Sequence, residues 1–540
     1  MNLRKIIYVI ILIVSALLAN TEILCSQSIV KFLSSNLPII IINTPNNAAI
    51  VDDPKVNAHM GIISNLNGIN NITDILNVYN GAIGIELRGN STQTFPKKSY
   101  ALEMRDEVGN DLDFSLLGMP ADNDWILLAS YFDRTFIRDP LAHYISESAG
   151  EWTSHSRHCE LVLNGNYMGI YLLMEKIKWV KSRLNISKLS STDISNENVT
   201  GGYIYEVTGF TTLKTIPGDF GLHRVIQYPK YDKITNEQLN YIEKYDTDFR
   251  NVMESANYED FLNGYEKYIN VNSFVNELIV QEVMRNSDAY GWSSYFHKDR
   301  NSKLNAGPVW DFDQASGNSS YNDGFKTTGW IFNTSPNFVP VFWKKLFNEP
   351  RFQYRVKLKW QELRSNKLTT ENINAYIDSC ATLLNEAHVR NFTQWPTLGI
   401  FIWRETVGFE TRDTYEKEVA YLKTYMAERM AWIDGELDKV VAVPLTPPTP
   451  ISENRLATFK LYPNPASDYL MIDTGEEINN ILNIQIYNNK GILAQNVMLT
   501  SDGNSLLKFN LNSSLANGLY HLRVVTKVNK IYTGNFIIVK

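Results

Sequence analysis

Cysteine is nearly absent from this chain, with three in 540 residues. Cys25 lies close to the amino terminus, which leaves Cys159 and Cys380 in the body of the protein. No zinc site can be assembled from cysteines, and two thiols so far apart are compatible with one bridge or with two buried free thiols. An excess of positive charge is missing too. The 51 lysines and arginines against 58 aspartates and glutamates give a formal net charge of −7 and a pI near 5.7. That leaves no electrostatic footprint for a nucleic-acid partner. Long apolar runs are lacking beyond the first residues, and no later segment approaches the ~20 residues of a membrane-spanning helix.

What is present is an ordinary globular composition, 44% hydrophobic and 20% charged, in a chain long enough for two or more domains. The first 26 residues read as a secretory signal peptide: Arg4 and Lys5, an apolar run from Ile6 to Leu18, then small and polar residues. Glu22-Ile23-Leu24-Cys25 poorly matches a lipid-attachment signal.

The stretch Glu282–Asn318, EVMRNSDAYGWSSYFHKDRNSKLNAGPVWDFDQASGN, carries the chemistry. Asp288 follows an apolar, helix-like segment, and Asp311 and Asp313 end a short apolar run closed by Gly317. One acid can take a substrate proton while the other two hold a divalent cation. Mg²⁺ takes hard oxygen ligands, often only one or two carboxylates, and completes its shell with water and phosphate oxygens. If Asp311-Phe312-Asp313 is strand, a period of two puts both carboxylates on one face and Phe312 in the core. Solvated loop acids, or a cap before Gly317, are the plainer alternative.

A β-rich part comes first. Apolar runs at Leu37–Thr44, Gly84–Arg88 and Lys97–Met104 read as strands, and Gly89-Asn90-Ser91-Thr92 as a turn. A hairpin with a small-residue turn and charges at Arg88, Lys97 and Lys98 could cover a phosphate, or be a surface hairpin with solvated lysines. Trp125–Ser130 reads as a strand, with a helix from Thr135 onward. Cys159–Lys178 reads as a hairpin turning at Asn164-Gly165, with Glu175 at its end facing a pocket or pairing with a lysine. Gly201–Glu206 is a further strand.

From about residue 235 helical spacing takes over: Asn236–Met253, Tyr258–Tyr268, Val271–Arg285, Val339–Phe347, Arg351–Leu363, Thr370–Leu384 and Tyr415–Val440. Trp343, Trp360, Trp395, Trp403 and Trp432 read as core packing of that part rather than sugar platforms. The expected class is α+β, a β-rich first lobe and a helical second lobe with the acids near their junction. A proline-rich linker over residues 440–454 leads to short strands over 455–540, which read as a small β-sandwich without a second acid cluster.

Residues 37–439 resemble the CotH kinase family, which is distantly similar to eukaryotic protein kinases. The resemblance rests on IELRGNSTQTFPKKSYALEM, DWILLASYFDRTFIRDPLAHYI, CELVLNGNYMGIYLLMEKI, RNSDAYGWSSYFHKD and GPVWDFDQASGN, in that order. It implies a two-lobed kinase-like fold and ATP-dependent phosphorylation of protein Ser or Thr with Mg²⁺ or Mn²⁺. By motif, Asp288 matches the acid acting on the substrate hydroxyl and Asp311 the metal-binding acid, with Asp313 beside it. Arg88 with Lys97 or Lys98 would contact nucleotide phosphates, and Glu175 is a further candidate on the nucleotide side. The pattern departs from many kinases: Ser293 and Ser294 stand where an Asn metal ligand is expected, and there is no His-Arg-Asp or Asp-Phe-Gly triplet.

The tail resembles a type IX secretion sorting domain, through Leu461-Tyr462-Pro463-Asn464-Pro465, Ile486-Tyr487-Asn488 with Gly491, and Leu515-Ala516-Asn517-Gly518-Leu519-Tyr520. It implies a Gram-negative envelope of the Bacteroidetes type, the type IX machinery as a partner, and a secreted or cell-surface protein that passes through the periplasm. Two rival functions remain open at this point: a catalytically silent surface protein binding a partner or glycan, and a metal-dependent enzyme acting on nucleotide-sugars.

Overall fold

The computed structural model describes residues 30–208, 215–217, 222–334, 339–445, 460–473, 481–498, 506–526 and 531–540. The expected signal peptide and linker residues 446–454 lie outside them. The chain divides into two compact units, residues 1–443 and 444–540.

Seven strands in the first unit close into a barrel. Their order is Ile39–Asn43, Val56–Ile63, Tyr79–Arg88, Ser99–Arg105, Asp124–Leu128, Asn166–Glu175 and Ser156–Leu163. Every neighbouring pair is antiparallel except the closing one, where Ile39–Ile42 runs parallel to Glu160–Leu163. Alternation fills the interior: Ile40 and Ile42, Met60 and Ile62, Ile83 and Ile85, Leu102 and Met104, Trp125 and Leu127, Leu161, Tyr171 and Leu173 form one core. The opposite face of several strands is buried as well. Ile170 packs into the helical core, and Ile126, Leu172 and Met174 pack with Ile204, Tyr295 and Trp310. Burial on both faces explains why these segments are continuously apolar. The hairpin at Asn164-Gly165 forms as its sequence implies, both residues having positive φ.

A second sheet has the order Thr215–Pro217, His223–Tyr228, Tyr203–Thr208, Ser294–Lys298 and Leu304–Ala306. The β-rich part is therefore a closed barrel plus a sheet that borrows strands from beyond residue 290, so strands and helices are not cleanly split at residue 235. Helices Arg138–Ala149, Asn236–Glu254, Val271–Met284, Val341–Asn348, Pro350–Arg364, Thr370–Leu383 and Tyr415–Asp438 follow the expected spacing, and Ala387–Gln394 adds one the spacing did not reveal. Tyr258–Tyr268 is not helical apart from a 3-10 turn at Tyr265–Lys267. There the Asp260 carboxylate accepts the Leu262 and Asn263 N–H groups, and so competes with the helix for its own donors.

Trp343 and Trp360 are buried in the helical core, as expected, while Trp432 is half-buried at its edge, Trp395 is half-buried against Tyr131 and the Met168 carbonyl, and Trp403 is exposed. Cys159, inside the barrel, and Cys380, on Thr370–Leu383, are both free thiols. In the second unit a three-stranded and a four-stranded antiparallel sheet share one core that includes Leu470, Ile472, Ile484, Ile486, Leu522 and Phe536.

Candidate active site

Helix Val271–Met284 ends at Arg285, whose φ of 44° turns the chain out of the helix. Asp288 stands in the loop that follows, its N–H donating to Asn286 Oδ1 at 3.2 Å. Gln314 Nε2 donates to its Oδ2 at 3.4 Å, and Arg404 Nη1 lies 3.6 Å from its Oδ1. Burial and the charge of Asp311 push the Asp288 carboxyl up to about 6 against the pull of Arg404.

The second acid segment is not a strand. Asp311 has φ 67°, and the hydrogen bonds a ladder would take go to side chains: Asn286 Nδ2 donates to the Asp311 carbonyl at 3.2 Å, and the Phe312 N–H donates to Asp139 Oδ1 at 2.8 Å. Phe312 is fully buried all the same. Arg138 Nε holds the Ala315 carbonyl, and Asn318 Nδ2 holds the Asp313 carbonyl at 2.6 Å. At Gly317, φ is 79° and a Cβ would meet the Tyr421 hydroxyl at 2.6 Å, so only glycine closes the loop without strain.

The loop gathers carboxylates at high electrostatic cost. The Asp313 carboxyl is raised well above its ordinary value by burial, then by Asp311, Asp139, Asp288 and Asp133. Asp311 is raised by burial, with the Ser293 hydroxyl at 3.0 Å and Arg88 opposing. Asp139 is pushed up to about 7 by burial and the charge of Asp311. Among the described residues neither Asp311 nor Asp313 is in an ion pair, and no group of three or more His, Cys, Asp or Glu is arranged to hold a metal. Half-buried carboxylates in no ion pair and without a preformed cage fit a Mg²⁺-like ion, which draws its remaining ligands from water and phosphate.

A cavity of about 770 Å³ adjoins this loop. Its lining includes Arg88, Lys176, Trp179, Glu206, Tyr228 and Trp310. Trp310 immediately precedes Asp311, and the Arg88 guanidinium lies 4.7 Å from the Trp310 ring centre, so Arg88 bridges the cavity wall and the acids. Trp179 stacks on Tyr228 at 5.0 Å. The Lys176 side chain is 48% exposed and pairs with Asp124 at 3.9 Å; partial desolvation and the charges of Arg88, Lys55 and Lys230 hold its ammonium below its ordinary value against the pull of Asp124.

Of the residues singled out from sequence, Asp288, Asp311 and Asp313 come together, and Arg88 reaches both cavity and acids. Lys97, Lys98 and Glu175 do not line the cavity. Lys97 is buried, its Nζ donating to the Ile170 carbonyl at 2.5 Å and Asn391 Oδ1 at 3.0 Å between the Tyr171 and Phe136 rings. Lys98 donates to the Gln93 and Phe95 carbonyls of its own turn. Glu175 Oε2 accepts from the His155 N–H and Nδ1, and its Oε1 is 3.8 Å from Arg183.

A family model described as CotH kinase protein matches residues 85–433, well over half of the chain. The chain belongs to the CotH kinase family. A secretion system C-terminal sorting domain model matches residues 460–540, which marks this CotH protein for type IX secretion to the cell surface or outside. No curated protein matches the chain. Within the CotH domain, sequence reasoning missed Lys176, Asp139 and Arg404. Lys176 follows Glu175 at the end of one strand, and there alternation could have pointed to it. Asp139 sits inside the quoted FIRDPL motif, and its role shows only through contact with Phe312. Arg404 had no local signal, because a fold contact alone brings it to Asp288.

Proposed function

We propose that the CotH domain is a two-lobed, protein-kinase-like phosphotransferase that moves the γ-phosphoryl group of ATP to protein Ser or Thr hydroxyls. One observation carries the reading: a cavity walled by cations and aromatics adjoins, through Arg88 and Trp310, the loop where Asp288, Asp311 and Asp313 share charge. The cavity size suits a nucleotide. Trp179 and Tyr228 offer an aromatic face, while Arg88 and Lys176 offer charge to phosphates. Asp311 and Asp313 are the carboxylates that would hold a divalent cation.

Bound ATP supplies the phosphoryl group, and the cation supplies neutralisation of its charge. Asp288 orients the acceptor hydroxyl and takes its proton; at about 6 its carboxyl is ionised at neutral pH and still basic enough to act. Burial raises the Asp311 carboxyl, and Ser293 and Arg88 oppose that rise, which favours the ionised form its role requires. Asp139 acts through the backbone, fixing Phe312 so that the acids on either side keep their places.

The test is the choice of donor. The full chain with Mg²⁺ or Mn²⁺ is offered ATP or a nucleotide-sugar, and consumption of each is followed. Consumption of ATP, lost in Asp311→Ala, supports the proposal; glycosyl transfer without ATP consumption overturns it.

A further inference from the structure

The segment from Ile400 to Val407 shows apolar side chains to solvent on a backbone that is firmly held from beneath. Ile400, Phe401 and Trp403 are 56%, 58% and 60% exposed, and Val407 is 98% exposed. The side chains between them are buried: Ile402, Glu405 and Thr406. Arg134, itself buried, donates to the Thr397 carbonyl at 2.7 Å, to the Ile400 carbonyl and to Glu405. Arg412 reaches Glu405 and Thr406 from another side, at 3.2 Å to each. The Ser320 N–H holds the Arg404 carbonyl at 2.8 Å. Four apolar side chains are exposed within eight residues, over a buried ion-pair network, a denser display than the scattered single exposures usual on a surface.

The patch adjoins the proposed proton acceptor. Arg404 has φ 75°, and its guanidinium lies 4.4 Å from the ring centres of both Trp403 and Tyr321. The same guanidinium approaches Asp288 Oδ1 at 3.6 Å and donates to Gln314 Oε1 at 3.3 Å. The Trp403 ring is therefore no more than about 9 Å from the Asp288 carboxylate, a gap an extended polypeptide crosses in about two or three residues.

We infer that the Ile400–Val407 segment is the docking platform for the acceptor polypeptide, and that it selects a Ser or Thr with an aromatic or branched aliphatic side chain within about three residues. Continuity is the argument for this occupant: a hydroxyl that reaches Asp288 by way of Arg404 brings its flanking residues against Trp403. Phe401 and Trp403 supply rigid apolar area at low entropic cost. The inference rests on the phosphotransfer reading given above.

The experiment uses the full chain and paired Ser peptides, alike except that one carries Phe or Leu near the Ser and the other carries Gly or Gln. Phosphate incorporation and, separately, anisotropy of the dye-labelled peptides without nucleotide are measured for wild type and for Phe401→Ser/Trp403→Ser. The expected result is a KM lower by on the order of tenfold for the apolar-flanked peptide. The double variant loses that preference while KM for ATP and the melting temperature stay unchanged. Incorporation without any preference overturns the platform and leaves the phosphotransfer reading standing. Selective binding lost in the double variant, without incorporation into any peptide, keeps the patch as a peptide-binding surface but overturns the phosphotransfer reading, and with it the assignment to an acceptor. No incorporation and no selective binding overturns both. Self-association that Phe401→Ser/Trp403→Ser abolishes would give the patch to a second copy of the chain and overturn the assignment to an acceptor.

Discussion

Replacing Asp288 by Asn should remove the chemistry and stabilise the fold, and the size of the gain can be worked from the site. The carboxylate is largely desolvated, with 17% of its side chain exposed, and faces the charge of Asp311, and Arg404 offsets this only in part, so the group is pushed from 3.8 up to about 6. At about 1.4 kcal/mol per pH unit, that difference makes the ionised carboxylate cost the folded state about 3 kcal/mol. The sign follows from linkage. Below 3.8 the acid is protonated in both states and costs nothing; between 3.8 and about 6 the penalty grows; above about 6 it is complete. Asn carries no charge and keeps a side-chain oxygen for Gln314, so it escapes the penalty. Urea unfolding of the full chain, followed by tryptophan fluorescence at pH 4, 6 and 8, measures the effect. Asp288→Asn should be more stable than wild type by up to about 3 kcal/mol at pH 8, and the two should converge at pH 4. A variant no more stable at pH 8, or one whose advantage persists unchanged at pH 4, would refute the electrostatic argument.

Arg88→Ala and Lys176→Ala each remove a cation from the cavity wall, and each should raise KM for ATP by about tenfold in steady-state kinetics, in line with one charge-assisted phosphate contact. Lys97→Met should leave KM for ATP within about twofold of wild type, since its ammonium is consumed by Ile170 and Asn391 away from the cavity. Gly317→Ala forces a Cβ against the Tyr421 hydroxyl at positive φ and should cost about 1–3 kcal/mol in thermal denaturation, through strain and overpacking at the acid loop.

The acids were legible in the sequence because their signal is local. Asp288 follows a helix that its own apolar spacing announces, and Asp311 and Asp313 sit together whatever the backbone does. The expected geometry of the second pair was not legible, because side chains distant in sequence, Asp139 and Asn286, capture the backbone groups that a strand would have paired. Barrel closure was hidden for a related reason: the parallel pairing of Ile39–Ile42 with Glu160–Leu163 joins segments with no local mark of adjacency. A Lys-Lys pair after a turn reads as a phosphate contact, yet neither lysine lines the cavity. Burial of Lys97 between two rings, under a helix that the spacing did not reveal, depends on the assembled fold. Trp403 runs the other way: a tryptophan amid helical sequence reads as core, yet here it faces solvent.

The central claim, that the cavity and the acid loop form one phosphoryl-transfer site, is tested most directly by where the label goes. The full chain is incubated with Mg²⁺ and a generic protein acceptor, using ATP labelled at the γ-phosphate in one arm and at the α-phosphate in the other, beside Asp288→Ala and Asp311→Ala. The account predicts covalent label on Ser or Thr from the γ-labelled donor alone, abolished in both variants. Label arriving from the α-position, or γ-label transfer that survives Asp288→Ala, would contradict it.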